Sequence, residues 1–432
     1  MSSTVLEQPQ ITQIELQPIQ SPSPDPDPDP PHAQDIVERW NHPRSNIARL
    51  AFAFLTSIVA GMNDAVVGAL LPSLESYYGL TYTVVSLIFL TPFVGYSLAA
   101  FTNARIHSTL GQRGIAILAP ICHIITYTAL SLHPPWPVLV VCNAVSGFGN
   151  GLTDACFCAW VGSMDRANAI QGLLHSCFSI GALLAPLVAT SMLVRGLAWY
   201  TFYYIMLGIS VLELIGLTIS FWPKTGAVYR AQHQLGDSEP SSTRAALKSK
   251  VTWLCSLFYF AYMGAEIGLG GWIVTFMLRV RHATPYASGL TSTGFWTGMA
   301  LGRACLGFVT EKYGERLCLS VYLALSVALQ LLFWLVPQFV VSAVAVAFLG
   351  FFLGPLFPGA VMLTARLLPR RMHVSAIGFA MAVGGVGGTV FPFGIGAIAG
   401  AKGVGVLQPV ILALLVVVLG VWIAFPRVEK RE

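Results

Sequence analysis

The sequence predicts an all-α membrane protein whose twelve transmembrane helices form two pseudo-symmetric six-helix bundles. Three observations lead to this fold class. Apolar residues make up 55% of the chain and charged residues only 10%, far from the composition of an average soluble domain. Twelve apolar stretches are long enough to supply the roughly 20 residues that cross a bilayer. The last six stretches also repeat the glycine and proline spacing of the first six.

The predicted spans occupy nearly all of the chain after residue 47. They are residues 48–72, 82–103, 114–131, 137–161, 168–193, 200–222, 251–278, 287–309, 317–336, 339–365, 374–400 and 404–425. The remaining stretches divide the chain into a disordered tail (1–47), a first bundle (48–222), a linker (223–250), a second bundle (251–425) and a short tail (426–432). A proline-rich run in the first tail disfavours helix and sheet there.

The positions of the basic residues predict the orientation. With the N-terminus in the cytosol, most of the 24 Lys and Arg residues fall on the cytosolic side. Only Arg195, Arg279, Arg281 and Lys402 fall outside, and Arg303 lies within a span. This asymmetry follows the positive-inside rule, so both termini are expected in the cytosol. Topology thus explains the net charge of +5, and nucleic-acid binding has no support. We favour the plasma membrane over vacuolar or other internal membranes.

An internal repeat relates the two predicted bundles. The segment Gly147–Gly151 of span 4 recurs in span 10 as Gly350–Gly354, at an offset of 203 residues. The spacing G-x8-G-x4-P, starting at Gly172, recurs from Gly378 at an offset of 206. Such agreement indicates a duplicated six-helix unit, and duplicated transporters hold their substrate site between the halves near mid-membrane.

The loop after span 8 carries a recognisable motif. Gly307–Arg316 fits G-x3-[DE]-[RK]-x-G-x-[RK] and resembles the cytosolic loop motif of the major facilitator superfamily. The resemblance makes Glu311, Lys312 and Arg316 candidates for gating. The copy in the first half is degenerate, because Ser108-Thr109 stands where the acidic and basic residues would be.

Further motifs resemble fungal members of that superfamily near the fucose/glucose–proton symporters. They are Gly61-Met-Asn63-Asp64, Gly147-x-Gly-x-Gly-x-x-Asp154, Leu174-His175, Glu266-x3-Gly270-Gly271-Trp272 and Gly294-Phe-Trp296 to Gly302-Arg303. The resemblance covers about residues 50–420. It implies alternating access and proton coupling through membrane carboxylates, and it leaves the solute open.

Two acidic residues lie at the centres of predicted spans, Asp64 in span 1 and Glu266 in span 7. A charge at the bilayer centre costs at least about 2.5–3.5 kcal/mol, so we interpret both as functional proton-coupling residues. Asn63, which the repeat aligns with Glu266, is a candidate for solute binding. Glu266 has the stronger claim to the proton, because we expect no Lys or Arg at its level.

Span 4 carries polar residues on one face. Asn143, Asn150 and Asp154 are spaced at i, i+7 and i+11, which places them on the same side of a helix. Amides both donate and accept hydrogen bonds, so this face suits a cavity for hydroxyl-bearing solutes. The alternative is interhelical hydrogen bonding that only holds the bundle together.

Aromatic residues accompany Glu266 on span 7. Tyr259 and Tyr262 precede it at helical spacing and Trp272 follows it, so we expect an aromatic rim of the same cavity. Tyrosines also gather at membrane interfaces without such a role.

Other charged residues within the spans lead to two further expectations. Asp154 and Arg303 have similar predicted depths and opposite charges, so we expect them to pair between the halves. His123 and Glu213 lie on spans 3 and 6, which face outward in the superfamily, and we interpret both as peripheral.

Together these patterns predict a monomeric, proton-coupled secondary transporter whose partners are a small organic solute, protons and the lipid bilayer. Sugar uptake by symport and export of a metabolite or xenobiotic by antiport both remain open. A non-transporting membrane sensor of the same fold is the alternative from another class. An enzyme is not expected, because the sequence contains no HExxH, GxSxG or P-loop motif. We expect no metal or cofactor, since the eight cysteines include no CxxC pair.

Overall fold

The computed structural model describes residues 38–234 and 247–426. Most of the predicted first tail, the centre of the linker and residues 427–432 lie outside these described residues. The helices are α1 (Ser45–Tyr78), α2 (Tyr82–Val85), α3 (Thr91–Ser131), α4 (Trp136–Gly162), α5 (Ala167–Val194), α6 (Phe202–Phe221), α7 (Gly226–Gln234), α8 (Lys250–Arg279), α9 (Pro285–Tyr313), α10 (Glu315–Leu335), α11 (Phe339–Leu353), α12 (Leu356–Leu367), α13 (Arg370–Lys402) and α14 (Leu407–Ala424). Short 3-10 turns at Ser86–Phe89, Trp199–Thr201 and Val404–Val406 join some of them.

These helices correspond to the twelve predicted spans. Within the described ranges, nine segments are long and apolar enough to cross a membrane. One of them, Tyr82–Ser131, is 50 residues long and holds spans 2 and 3, which are separated where Gly111 leaves helical geometry (φ 70°, ψ −169°). The less apolar α4 and α9 supply spans 4 and 8, and α11 with α12 forms span 10. The predicted fold class is confirmed.

The first bundle includes residues just before α1. The Glu38 carboxylate lies 3.3 Å from Lys224 Nζ and accepts a hydrogen bond from Trp160 Nε1, also at 3.3 Å. These contacts tie the segment before α1 to the ends of α4 and α6. The linker contributes helix α7, and just before it the carbonyl of Lys224 accepts a hydrogen bond from the backbone N–H of Arg113 at 3.0 Å.

The internal repeat is visible in the helix packing. Gly95 on α3 lies directly against the carbonyl oxygen of Ala144, and Gly298 on α9 lies in the same way against that of Ala347. Both residues of the first contact are 203 positions before those of the second. Glycine allows such close approach of two membrane helices, because any Cβ would overlap the neighbouring backbone. The two bundles therefore share one packing scheme.

The backbone at the repeated loop also matches. Gly111 and Gly314, again 203 positions apart, have φ values of 70° and 89°. Side chains with a Cβ rarely adopt this region, so glycine is favoured at both positions. The backbone at this glycine is thus similar in the two halves, although the acidic and basic pair of the motif, Glu311 and Lys312, occurs only in the second.

One end of the molecule closes the interface between the bundles. We call it the distal end, where α1 and α8 finish, and we call the end where α1 begins the linker end. Near the distal end Gly68 of α1 lies directly against the backbone of Gly270 of α8. Gly268–Met277 is buried at every position. The ion pair between Glu75 and Arg279, at 3.5 Å, also joins the two bundles there.

We predict that Gly298→Ala destabilises the protein while Gly294→Ala, one turn away on α9, does not. A Cβ at Gly298 would overlap the Ala347 carbonyl oxygen, whereas one at Gly294 would make an ordinary contact of 3.6 Å with the Ala347 Cβ. Overpacking costs about 1–3 kcal/mol, while replacing glycine by alanine within a helix gains about 1 kcal/mol. Thermal unfolding of both variants in detergent tests this, and equal melting temperatures would contradict it.

Candidate functional site

Asp64 is accessible in the middle of an otherwise buried stretch of α1. All residues of Val59–Leu71 are buried except Asp64, which is exposed. Its carboxylate Oδ1 accepts a hydrogen bond of 3.1 Å from Asn63 Nδ2, and Asn63 Oδ1 accepts one of 3.1 Å from the Tyr127 hydroxyl. The surroundings therefore orient Asn63, and the Asp64 carboxylate faces a solvent-accessible space inside the protein.

A second carboxylate faces Asp64 from α4. Asp154 is exposed and interacts electrostatically with Asp64. The Tyr96 hydroxyl on α3 interacts electrostatically with both carboxylates. Three helices of the first bundle thus bring acidic and hydroxyl groups to one space. Because the packing around Gly68 and Gly270 seals the distal end, this space is closed on that side.

Glu266 forms an ion pair with Arg303. Arg303 donates from NH2 to Glu266 Oε1 at 3.1 Å and from NH1 to Ser179 Oγ at 2.8 Å. It also donates from Nε to the Gly354 carbonyl at 3.4 Å. Glu266 and Arg303 belong to the second bundle and Ser179 belongs to the first. One guanidinium therefore links α8, the break between α11 and α12, and helix α5 across the interface.

This pairing corrects two expectations from the sequence. The expectation that no Lys or Arg lies at the level of Glu266 is wrong, and Arg303 pairs with Glu266 instead of with Asp154. Counting residues from a helix end gives the depth of a Cα atom. A long arginine side chain carries its charge well away from that level, so the depth count assigned the wrong partner.

The two tyrosines of α8 are fully buried. The Tyr259 hydroxyl donates to the Phe357 carbonyl at 2.9 Å and the Tyr262 hydroxyl donates to the Leu353 carbonyl at 3.1 Å. Both carbonyls flank the break between α11 and α12, where helical hydrogen bonding is interrupted. Both tyrosines therefore support the broken span through these hydrogen bonds. Neither of them lines an accessible surface in this structure.

Trp272 lies in the closed distal part of the interface. It is fully buried, and its Nε1 donates to the Pro392 carbonyl at 2.8 Å. Its ring packs against Tyr82 and Phe89 of the first bundle, with centroid distances of 5.9 and 6.3 Å. Trp272 therefore contributes to closure of the distal end in this structure.

The polar face of α4 divides between two environments. Asn143 is buried and donates to the carbonyl of Leu139 in its own helix at 2.9 Å. Asn150 is buried, and its Oδ1 lies 3.0 Å from His123 Nε2. Asp154 is the member of the predicted set that reaches the accessible space.

His123 and Glu213 are not peripheral, and this expectation is wrong. Both are fully buried, and His123 Nδ1 lies 3.0 Å from Glu213 Oε2. Spans 3 and 6 have inner as well as outer faces, and these two side chains point into the bundle toward α4. One sequence feature could have indicated this pairing, namely that two apolar spans of the same bundle each carry a titratable residue.

The gating candidates lie at the linker end. Glu311 and Lys312 are exposed. Arg316 donates to the carbonyls of Pro426 at 3.0 Å and Ile423 at 3.4 Å, which ties the start of α10 to the end of α14. A guanidinium at a helix C-terminus also complements the helix dipole.

Residues 53–290 and 255–432 match the model of the Major Facilitator Superfamily. The chain is 31% identical over 405 residues to Bypass of stop codon protein 6 of Saccharomyces cerevisiae, covering 86% of this chain and 81% of the relative. It is 20% identical over 391 residues to the Glucose/mannose transporter GlcP of Bacillus subtilis, covering 88% and 95%.

Two solved structures share the fold. The D-xylose-proton symporter superposes with a TM-score of 0.74 at 12% identity, covering 89% of this chain and 99% of the other. The transporter FucP in its outward conformation superposes with a TM-score of 0.61 at 15% identity, covering 87% and 99%.

We predict that Glu266 and Arg303 are energetically coupled, whereas Asp154 and Arg303 are not. Removing one member of a buried ion pair leaves the other charge uncompensated, at a cost of about 3–5 kcal/mol. Glu266→Gln with Arg303→Met should therefore be less destabilising than the sum of the single variants. Thermal unfolding in two double-mutant cycles, with Asp154→Asn in the second, measures both coupling energies. A larger coupling in the Asp154 cycle would contradict the pairing.

We also predict that Asp154→Cys reacts with a small hydrophilic thiol reagent and that Asn143→Cys does not. Both residues lie on one helix face, but only Asp154 is exposed. The background lacks the eight native cysteines. Labelling is followed by mass spectrometry in membranes, and equal labelling at both positions would show that the accessible space extends along the whole face.

Proposed function

We propose that this chain, which belongs to the major facilitator superfamily, moves a small hydroxylated solute across the membrane together with protons. The observation that carries the proposal is the exposed Asp64 carboxylate at the centre of the buried run Val59–Leu71. Acidic residues inside the membrane are costly and mark ion or substrate pathways. The position between two repeated bundles is where secondary transporters hold their solute.

Asp64 is the proposed proton carrier. Among the described residues its carboxylate forms no ion pair with Lys or Arg, so taking up a proton leaves no unpaired cation behind. Glu266 differs, because its protonation would leave the Arg303 guanidinium without its counter-charge, 3.1 Å away. We therefore assign the proton to Asp64 and not to Glu266, the residue that the sequence favours. The ion pair is then assigned to holding the interface, and Asp154 to assisting Asp64.

A sugar-like solute suits the accessible groups. Asp64 and Asp154 accept hydrogen bonds and Tyr96 can donate one, which matches the hydroxyl groups of a sugar. The names of the similar proteins, a glucose/mannose transporter and a xylose–proton symporter, support the same class. Both considerations favour symport of a sugar-like solute over export of a xenobiotic.

Alternating access follows from the asymmetric interface in this proposal. The distal end is closed by the contact between Gly68 and Gly270 and by the ion pair of Glu75 with Arg279. Solute then reaches Asp64 from the linker end in this state, and opening the distal end requires these contacts to separate. The glycine contact has no side chains to repack, which suits a reversible interface.

The proposed setting is the plasma membrane, with the linker end in the cytosol and the protein acting as a monomer. The distribution of Lys and Arg supports this orientation, because the linker end carries most of them. Three helices of one chain bring Asp64, Asp154 and Tyr96 together, so the proposed pathway needs no second copy.

Transport by the purified protein in liposomes tests the proposal. A panel of labelled hexoses and pentoses is supplied with and without an imposed pH gradient. We expect at least one sugar to accumulate above its external concentration, and a protonophore to abolish the accumulation. Sugar binding without any movement across the membrane would favour the sensor alternative, and accumulation independent of the pH gradient would exclude proton coupling.

We predict that Asp64→Asn abolishes accumulation driven by the pH gradient but retains exchange of labelled for unlabelled solute. An asparagine preserves hydrogen bonding to the solute but cannot carry a proton. Asp165→Asn, at an exposed position at the linker end, is the matched control and should behave as the wild type. Accumulation and exchange are measured in the same liposomes. Normal accumulation by Asp64→Asn would transfer the proton role to another carboxylate.

A further inference from the structure

A second pair of titratable side chains lies inside the first bundle, shut off from solvent. His123 on α3 and Glu213 on α6 each have 0% exposure. The imidazole contacts Glu213 through Nδ1 and Asn150 through Nε2, both at 3.0 Å. The proposed transport mechanism makes no use of this pair, although burying ionisable groups in the membrane is costly.

The hydrogen bonds define how many protons the pair holds. Asn150 presents its oxygen, which only accepts, so His123 Nε2 must carry a proton and donate it. One further proton lies between His123 Nδ1 and Glu213 Oε2, whichever of the two atoms it is bonded to. The pair holds two protons in this arrangement and its net charge is zero, which suits a buried site.

Asn150 offers a second arrangement. Among the residues that the structure describes, Asn150 Nδ2 and Glu213 Oε1 have no hydrogen-bond partner. Rotating the Asn150 amide would turn Nδ2 toward the ring, where it donates to an unprotonated His123 Nε2. The pair then holds one proton and carries a net charge of −1. The two orientations of this amide therefore correspond to two protonation states.

The second bundle shows that a buried hydrogen bond between the corresponding spans does not require titratable groups. There Gln330 of α10 donates from Nε2 to Gln408 Oε1 of α14 at 2.6 Å, and both residues are fully buried or nearly so. These helices are spans 9 and 12, the repeat equivalents of spans 3 and 6. Two neutral amides suffice to connect them, so histidine and glutamate in the first bundle add a capacity to bind protons.

The pair is close enough to Asp64 to influence it. The His123 ring stacks on Tyr127 at 5.9 Å with an interplanar angle of 23°, and the Tyr127 hydroxyl donates to Asn63, which donates to Asp64. His123 and Asp64 also interact electrostatically. Because His123 contacts Tyr127 by ring stacking, the hydrogen bonds do not run without a break from His123 to Asp64. The pair therefore acts on Asp64 through its charge and through the orientation of Tyr127 and Asn63.

The groups that face His123 come from four helices. Asp64 lies on α1, and Tyr127 lies on α3, the helix of His123 itself. Asn150 and Gly149 lie on α4. Glu213 lies on α6, as does Tyr203, which stacks on Tyr127.

We propose that His123 and Glu213 form a second, occluded proton-binding site whose occupancy, matched by the orientation of the Asn150 amide, controls the pH at which Asp64 binds its proton. This inference rests on the proposed role of Asp64 as proton carrier. His123 and Glu213 are then positioning residues, since they act on transport through Asp64 and touch neither solute nor accessible space.

Infrared spectroscopy of the protein in lipid vesicles tests this without any solute. The carboxylic-acid band that Asp64→Asn removes is followed against pH in wild type, in Glu213→Gln, and in His123→Gln/Glu213→Gln. Glu213→Gln is nearly isosteric, and the double variant reproduces the amide pair of the second bundle. The control is Gln330→Met/Gln408→Met, which removes a buried polar pair without titratable groups. Thermal unfolding verifies that each variant is folded.

His123 is the member of the pair whose charge acts on Asp64, so its share of the second proton presents the positive end of the neutral pair to that carboxylate. Glu213→Gln removes the partner that holds this proton on the imidazole, and the double variant removes the imidazole itself. We therefore expect the midpoint of the Asp64 band to move to higher pH by about half a unit or more in both variants. The control should keep the wild-type midpoint. A midpoint that stays in place or moves lower in the Glu213 variants overturns this inference alone. If Asp64→Asn removes no titrating band, the proposed role of Asp64 and this inference fail together.

Discussion

The guanidinium of Arg303 is the constraint on which the arrangement of the two bundles depends. A buried cation must find a counter-charge and hydrogen-bond acceptors, because leaving it unpaired is strongly destabilising. Arg303 finds them in Glu266 and the Gly354 carbonyl of its own bundle and in Ser179 of the other. The charge therefore connects the broken span of the second bundle to α5 of the first.

Because Arg303 pairs with Glu266, the acidic residues of the two bundles differ in whether they have a counter-charge. Glu266 is neutralised in the second bundle, while Asp64 and Asp154 remain exposed in the first. The same asymmetry extends to the buried polar pairs, which are titratable in the first bundle and consist of amides in the second. Two halves with one packing scheme have thus acquired different electrostatics. The first provides the protonatable groups, and the second provides the fixed ion pair at the interface.

Several features of the fold and site were predictable because they depend on local rules. The length of apolar stretches predicts the spans, since the bilayer thickness sets it. The 203-residue offset predicts equivalent helix crossings, which the contacts of Gly95 and Gly298 reproduce. The high cost of a charge in the membrane singled out Asp64 and Glu266. The first is exposed within a buried stretch of α1, and the second forms the ion pair with Arg303. The solute, the direction of transport and the membrane are not encoded in such rules.

The sequence by itself determined the twelve helices, their duplication and the position of each polar residue's Cα atom along its helix, because hydrophobic length and periodicity act along a single helix. Only the tertiary structure decided which polar groups meet. Glu266 rather than Asp154 pairs with Arg303, His123 faces Glu213, and Tyr259 supports a broken helix. These partnerships depend on the rotation of each helix and on side-chain reach, and both are set by packing between residues far apart in the chain.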